Sequence, residues 1–213
     1  MDLRFLETPR TNWLVRGLFP LLTWKKSRSS QSIYLTFDDG PTPGITEQIL
    51  DILDRYQAKA TFFCVGEAAE RSPQIMDRTV LSGHTIGNHT YSHLAGWSCS
   101  TRRYLDDIQR CDRFLPACRT HRPHLFRPPY AQLGLLQGCM VFAKRKIVFW
   151  DVNSMDYQEN QSPPEIAKRV LDLIKSGSIV LLHDSQQAGH RTIEALPTII
   201  QGIQDRGWRL ESL

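Results

Sequence analysis

Residues 32–41 read SIYLTFDDGP, and within them the run Ile33–Phe37 (IYLTF) passes directly into Asp38 and Asp39. A run of β-branched, aromatic and aliphatic residues without polar alternation is the pattern of a strand buried on both faces of a parallel sheet. Three further runs repeat it: Ala60–Val65 (ATFFCV), Lys146–Trp150 (KIVFW) and Ser178–Leu182 (SIVLL). Amphipathic helical patterns lie between them. Thr46–Tyr56 puts Ile49, Leu50, Ile52 and Leu53 on one face with Thr46 as its cap. Ser72–Ser82 opens with a Ser cap and Pro73 and stops at Gly83. Thr101–Phe114, Pro164–Ile174 and Ala195–Asp205 read the same way, the last two closed by Gly177 and Gly207. Strand alternating with helix predicts an α/β fold.

Ionisable residues collect where these strands end. Asp38 and Asp39 follow the first, Asp151 follows KIVFW, and His183 and Asp184 follow SIVLL; Arg127 follows the short Leu125–Phe126 run, and His89 follows Thr85–Gly87. The C-terminal ends of strands are where α/β barrels assemble their active sites. An α/β sandwich also binds ligands at strand ends, but polar ends spread along the whole chain favour a barrel. Residues 1–30 read as an N-terminal extension packing on the domain, and residues 31–213 as that single domain.

Hydrophobic residues make up 41% of the 213 and charged ones 23%, globular usage that excludes a disordered or fibrous chain. Lys plus Arg number 26 against 22 for Asp plus Glu, and a net charge of +4 is too mild for a dedicated nucleic-acid binder. The short basic clusters (Lys25, Lys26 and Arg28; Lys144, Arg145 and Lys146) lack interleaved aromatics and read as solvated surface. Trp13–Trp24 (WLVRGLFPLLTW) is broken by Arg16 and Pro20, shorter than the roughly 20 apolar residues of a membrane span, and lacks a small-residue cleavage site. It reads as an amphipathic segment packing on the domain, with no stable membrane insertion. The cysteines (Cys64, Cys99, Cys111, Cys118, Cys139) are odd in number and without CxxC spacing, so neither a disulfide framework nor a zinc ribbon is indicated. Free thiols fit a reducing, cytoplasmic compartment.

His89 and His93 stand four apart in HTYSH, a separation that on a helical turn projects both rings from one face. Two His and a carboxylate make a divalent-metal set with open positions for water and substrate. No Glu follows the first His, so a general base must come from elsewhere. Asp38–Asp39 supplies one: successive side chains at a strand end point in different directions, so one carboxylate can ligate metal while the other accepts a proton. Arg127-Pro-Pro-Tyr130 is a stiff extended segment, suited to holding a guanidinium against a carboxylate or aiming a backbone N–H at an oxyanion. His183 ends an apolar strand; with a carboxylate beside it, Asp156 being the best placed in WDVNSMDY, it would stand as an imidazolium general acid.

Taken together, TFDDG (36–40), HTYSH (89–93), RPPY (127–130), Asp156–Tyr157 and LLHD (181–184) resemble, in order, the motifs of the polysaccharide deacetylases, the NodB-homology group or carbohydrate esterase family 4. The resemblance spans about residues 32–212 and implies an α/β fold, a distorted, incomplete (β/α) barrel. It implies a divalent metal, usually Zn2+, with Co2+, Ni2+ or Mn2+ as alternatives, held by Asp39, His89 and His93. Asp38 would be the general base, His183 the general acid, Arg127 the partner of Asp38 and Asp156 the tether of His183. Tyr130 would offer its backbone N–H to the oxyanion, and Tyr130, Tyr157 and Leu181 would line the substrate groove. The implied substrate is an N-acetylated amino sugar in a peptidoglycan- or chitooligosaccharide-like glycan, the implied enzyme a monomer acting in the cytoplasm or at the cell envelope. Three positions depart from the family's usual residues: Tyr157 for Trp, Asn153 for Asp and Ala131 for Gly, all lining or supporting the groove. Two other readings stay open: a deacylase of a non-sugar amide or O-acetyl ester, and a non-catalytic carbohydrate-binding protein.

Overall fold

The computed structural model describes residues 8–11, 13–115 and 125–213. Seven parallel strands form a curled open sheet in the order β5-β4-β3-β2-β1-β7-β6. They are β1 (Ser32–Asp38), β2 (Ala60–Cys64), β3 (Thr85–Asn88), β4 (Leu125–Phe126), β5 (Lys146–Ile147), β6 (Val152–Asn153) and β7 (Ile179–His183); β8 (Arg209–Leu210) pairs with the start of β1. This is the incomplete (β/α) barrel. Its helices are α1 (Trp13–Leu18), α2 (Thr46–Arg55), α3 (Gly66–Arg71), α4 (Pro73–Leu81), α5 (Thr101–Asp112), α6 (Leu135–Phe142), α7 (Pro163–Leu173) and α8 (Gly189–Gln204).

Strand alternation divides the core in two. Ile33, Leu35 and Phe37 of β1 and Val180 and Leu182 of β7 face outward, where α2, α7 and α8 cover them. Tyr34 of β1, Phe63 of β2 and Ile179 and Leu181 of β7 face the interior with Trp24, Phe126 and Phe149. Because the side-chain period is two, Asp38 and His183 continue the interior faces of β1 and β7, and the two residues are register partners. The gap between the edge strands β5 and β6 is bordered by the N-terminal segment. Thr23 bridges Val148, Arg10 bridges Val152 and Lys25 bridges Ser178, with Trp24 buried between. Exposed sheet edges are thereby capped.

Several local expectations change. KIVFW is not one strand: β5 ends at Ile147, and the carbonyls of Val148 and Phe149 accept hydrogen bonds from Arg127 instead of continuing the ladder. Those residues are apolar because they pack inside the barrel. Asp151 therefore lies just before β6, at the rim where strands begin, with its N–H bonded to the Ile179 carbonyl. α8 starts at Gly189, six residues before Ala195, and carries Pro197 within it. Neither Thr46 nor Ser72 caps its helix through the side chain; the Thr46 hydroxyl is drawn instead to Asp184 (2.6 Å). Cys64, Cys99, Cys111 and Cys139 are free thiols, and Cys118 falls outside the described residues.

Candidate active site

Asp38 is buried at the C-terminal end of β1. Arg127 reaches it from the end of β4 and is itself fully buried, its guanidinium stacked over Phe63 at 4.2 Å. Its Nη1 donates to Asp38 Oδ1 (2.7 Å) and Thr36 Oγ1 (2.8 Å), Nη2 to the Phe149 carbonyl (3.0 Å) and Nε to the Val148 carbonyl (3.2 Å). A buried cation is tolerated only when so fully partnered. Burial lowers the guanidinium's affinity for its proton and Asp38 restores part of it. Thr36 anchors the fork by donating to the Val180 carbonyl (2.7 Å).

Asp39 turns away from its neighbour through a left-handed backbone (φ 81°) and meets two imidazoles. Its Oδ1 lies 3.4 Å from His89 Nε2 and 3.1 Å from His93 Nε2. Ligands about 2.0–2.1 Å from a tetrahedral ion stand roughly 3.3 Å apart, so the spacing of these donor atoms suits such an ion. His89 Nδ1 lies 2.7 Å from the Arg127 carbonyl, which can only accept, so Nδ1 donates there and Nε2 is the ring nitrogen directed at Asp39. His93 Nδ1 contacts the Tyr130 hydroxyl at 3.1 Å. Burial opposes ionisation of Asp39, but the two imidazoles and the charge of His183 outweigh it and hold the carboxyl well below 3.8.

The His pair does not ride on a helical turn. Residues 89–93 form a loop after β3, left-handed at Thr90 and His93. The Asp107 carboxylate of α5 accepts from the N–H groups of Tyr91 (2.8 Å) and Ser92 (3.0 Å), and Asn88 Oδ1 accepts from Thr90 N–H (2.9 Å). The i, i+4 spacing matched a helix; side chains from elsewhere shape the loop.

Across the rim, Asp156 holds His183 twice, Oδ1 against Nδ1 and Oδ2 accepting the backbone N–H, both at 2.7 Å. Thr192 of α8 donates to Oδ2 (2.6 Å). Burial pushes His183 down, but Asp156, reinforced by Asp39 and Asp38, more than reverses this and takes it up to about 10. Asp184, quoted with its motif but given no role from sequence, is buried behind Asp39. It accepts from Gly40 N–H (3.0 Å) and from Thr46. Burial, aided by the negative charge of Asp39, lifts it to about 7 against those two hydrogen bonds. A Cβ on Gly40 would stand 1.9 Å from the Asp184 carboxylate, so this position requires glycine. Asp184 and Thr36 stand inside the LLHD and TFDDG motifs, but nothing in the sequence assigns them a positioning role.

Tyr130 has a left-handed backbone (φ 55°) and a ring 63% exposed beside His93. Tyr157 stands edge-on to His183 with centroids 5.5 Å apart, and Asn153 donates to its hydroxyl (3.4 Å). Leu181 lies two residues below His183 on the same inner face, buried. Asp38, Asp39, His89, His93, Arg127, Tyr130, Asp156, Tyr157 and His183 thus converge on one rim; Asp151, grouped with them by the sequence, sits at the other.

A polysaccharide deacetylase family model matches residues 25–135. A peptidoglycan-N-acetylglucosamine deacetylase of Bacillus cereus is 34% identical over 191 residues, covering 88% of this chain and 89% of its own length. A chitooligosaccharide deacetylase of Bradyrhizobium sp. is 32% identical over 200 residues, covering 86% and 90%. The crystal structure of the Bc1960 peptidoglycan N-acetylglucosamine deacetylase in complex with 4-naphthalen-1-yl-N-oxidanyl-benzamide superposes with a TM-score of 0.87 at 31% identity, covering 95% of each chain.

Proposed function

The chain belongs to the polysaccharide deacetylase family, and from that premise we propose that it is a metal-dependent hydrolase of the N-acetyl amide of an amino sugar in a peptidoglycan- or chitooligosaccharide-like glycan. One observation carries the proposal: Asp38, paired with Arg127, and His183, paired with Asp156, stand at the same rim as the Asp39–His89–His93 triad. Amide hydrolysis needs a base for water and an acid for the amine, since the nitrogen leaves poorly unless protonated.

Asp39, His89 and His93 would hold a divalent ion, Zn2+ first among the candidates, which when bound acidifies water and polarises the acyl oxygen. Asp38 takes the proton of the attacking water; its bond to Arg127 aims one oxygen and leaves Oδ2 4.0 Å from His89 Nε2. His183 keeps its proton through the neutral range because Asp156 stabilises the imidazolium, and releases it to the departing amine. The Tyr130 backbone N–H stabilises the developing oxyanion. Tyr157 and the exposed face of Tyr130 wall the groove, and Leu181 floors it near the acetyl methyl. Peptidoglycan as substrate would put the enzyme's work at the cell envelope; among the described residues no helix is long and apolar enough to cross a membrane.

Acetate release from N-acetylglucosamine oligomers, small N-acetyl amides and O-acetyl esters tests the proposal, with the protein chelated and then reloaded separately with Zn2+, Co2+, Ni2+ or Mn2+. Turnover of the oligomers should vanish on chelation and return with metal. Turnover indifferent to chelation, turnover confined to esters, or sugar binding without acetate release would each overturn it.

A further inference from the structure

The rim where the strands begin holds a second cavity, of about 270 Å³, lined by Arg10, Arg16, Lys25, Arg28, Lys175 and Asp151. It lies at the opposite end of β7 from His183: Ser178 precedes that strand and donates to Asp151 Oδ2 (2.6 Å). Five strand residues at about 3.3 Å each separate the two sites by roughly 16 Å. The cavity gathers five cationic side chains around one carboxylate, an excess equal to the net charge of the whole chain, +4.

That one carboxylate is already engaged on both oxygens. Asp151 Oδ1 takes Arg16 Nη1 at 2.6 Å with Arg10 Nε at 3.6 Å, and Oδ2 takes Ser178. Among the described residues Lys25, Arg28 and Lys175 have no acidic partner within ion-pair distance. Among the described residues the buried Nε atoms of Arg10 and Arg16 have no hydrogen-bond partner, Arg10 Nε standing 3.6 Å from Asp151 Oδ1. A buried N–H without a hydrogen-bond partner is costly to a cation, and like charges held together add to that cost. The backbone that carries these side chains is tied to the barrel: Lys25 bridges Ser178, Lys26 N–H donates to the Gly177 carbonyl (2.8 Å), and Ser176 Oγ donates to the Arg28 carbonyl (2.7 Å).

We propose that this cavity is an anion site for a phosphate ester. A phosphate presents tetrahedrally disposed oxygens that accept from several donors at once, and guanidinium forks match it in pairs. The volume accommodates a phosphate with a small polyol attached. A soluble phosphate ester and the headgroup of an anionic lipid share this chemistry, and either binds without reaching the other rim. Occupancy would tie the N-terminal segment, which carries Arg10, Arg16, Lys25 and Arg28, to the barrel at Lys175.

The test uses the full chain and the triple variant Lys25→Ala/Arg28→Ala/Lys175→Ala, whose replaced side chains are exposed and belong to no catalytic group. Inorganic phosphate and glycerol 3-phosphate are titrated while Tm is recorded, and co-sedimentation is measured with phosphatidylcholine vesicles with and without phosphatidylglycerol. A saturable, salt-sensitive rise in Tm, weakened about tenfold or more in the variant, with unchanged acetate release, supports a soluble ester. Co-sedimentation that needs phosphatidylglycerol and is lost in the variant, without a Tm response, supports the headgroup. Equal responses of both proteins in both arms, or none from the parent in either, overturn the proposal.

Discussion

Where the barrel strands end, Asp38, Asp39, Asp156 and Asp184 surround two pairs of opposite charge and a pair of imidazoles; where they begin, five cations crowd the single carboxylate of Asp151. The contrast shows in two buried histidines. His183, at the first rim, is carried up to about 10 by Asp156 and its acidic neighbours against the effect of burial. His84, just before β3 at the second, is pushed down to about 4 by burial and then by Lys59, and its neutral Nδ1 accepts from the Ala60 N–H (3.2 Å). Burial acts on both rings in the same direction. At His183 the adjacent carboxylates reverse the effect of burial; at His84 the charges of Lys59 and Arg78 add to it, and Asp54 offsets only part.

The most severe way to break this contrast is to remove a metal-facing ring. His89→Ala should lose its equivalent of tightly bound divalent metal together with nearly all acetate release; stoichiometric metal by elemental analysis in that variant would contradict the ligand set. Next in size is the buried cation. Arg127→Leu leaves Asp38 without its partner and should cost about 3–5 kcal/mol in urea unfolding, whereas Lys175→Leu at the other rim should stay within about 0.5 kcal/mol. Arg127→Lys should not restore the loss, because an ammonium cannot span Asp38, Thr36 and two carbonyls as the fork does.

His183→Ala should then lose on the order of 10²-fold in amide turnover while keeping metal, and much less on an activated acetyl ester, whose leaving group needs no proton. Equal losses on both substrates would remove the acid role. Asp156→Asn sharpens the point: with that carboxylate gone, only Asp39 and Asp38 offset the effect of burial on the ring, and the basic limb of the pH–rate profile should move to lower pH.

The smallest effects lie in stability. His183 is raised above its ordinary 6.5, so its contribution is complete below that pH and is lost as pH rises towards about 10. His84 is lowered, so its contribution is present above 6.5 and is lost as pH falls through about 4. Urea midpoints between those limits should therefore part from wild type in opposite directions of pH for Asp156→Asn and His84→Gln. Parallel curves for the two variants would mean that the rims do not differ as described.

The sequence made the first rim readable and left the second hidden, for a physical reason. Several groups of the candidate site follow a strand end directly, so a short motif carries both the side chain and its placement, as with Asp38–Asp39 after IYLTF or Arg127 before two prolines. The cations of the second rim come from residues 10, 16, 25, 28 and 175, and nothing local announces that β7 and the N-terminal segment bring them together; Lys25 and Arg28 read as solvated surface. KIVFW misled because apolar residues inside a barrel need not pair as a strand when a buried arginine takes their carbonyls. HTYSH misled in conformation alone, since the neighbouring Asn88 and the distant Asp107 side chains shape the loop.

In the proposed function the adjacent aspartates do separate work, Asp39 facing the imidazoles and Asp38, held by Arg127, acting as the base. Its most direct test is Asp38→Asn, with bound metal and acetate release from N-acetylglucosamine oligomers measured on the same preparation. Full metal content with turnover reduced about 10²–10⁴-fold is the predicted result. Loss of metal, or full metal with turnover near that of the parent, would contradict it.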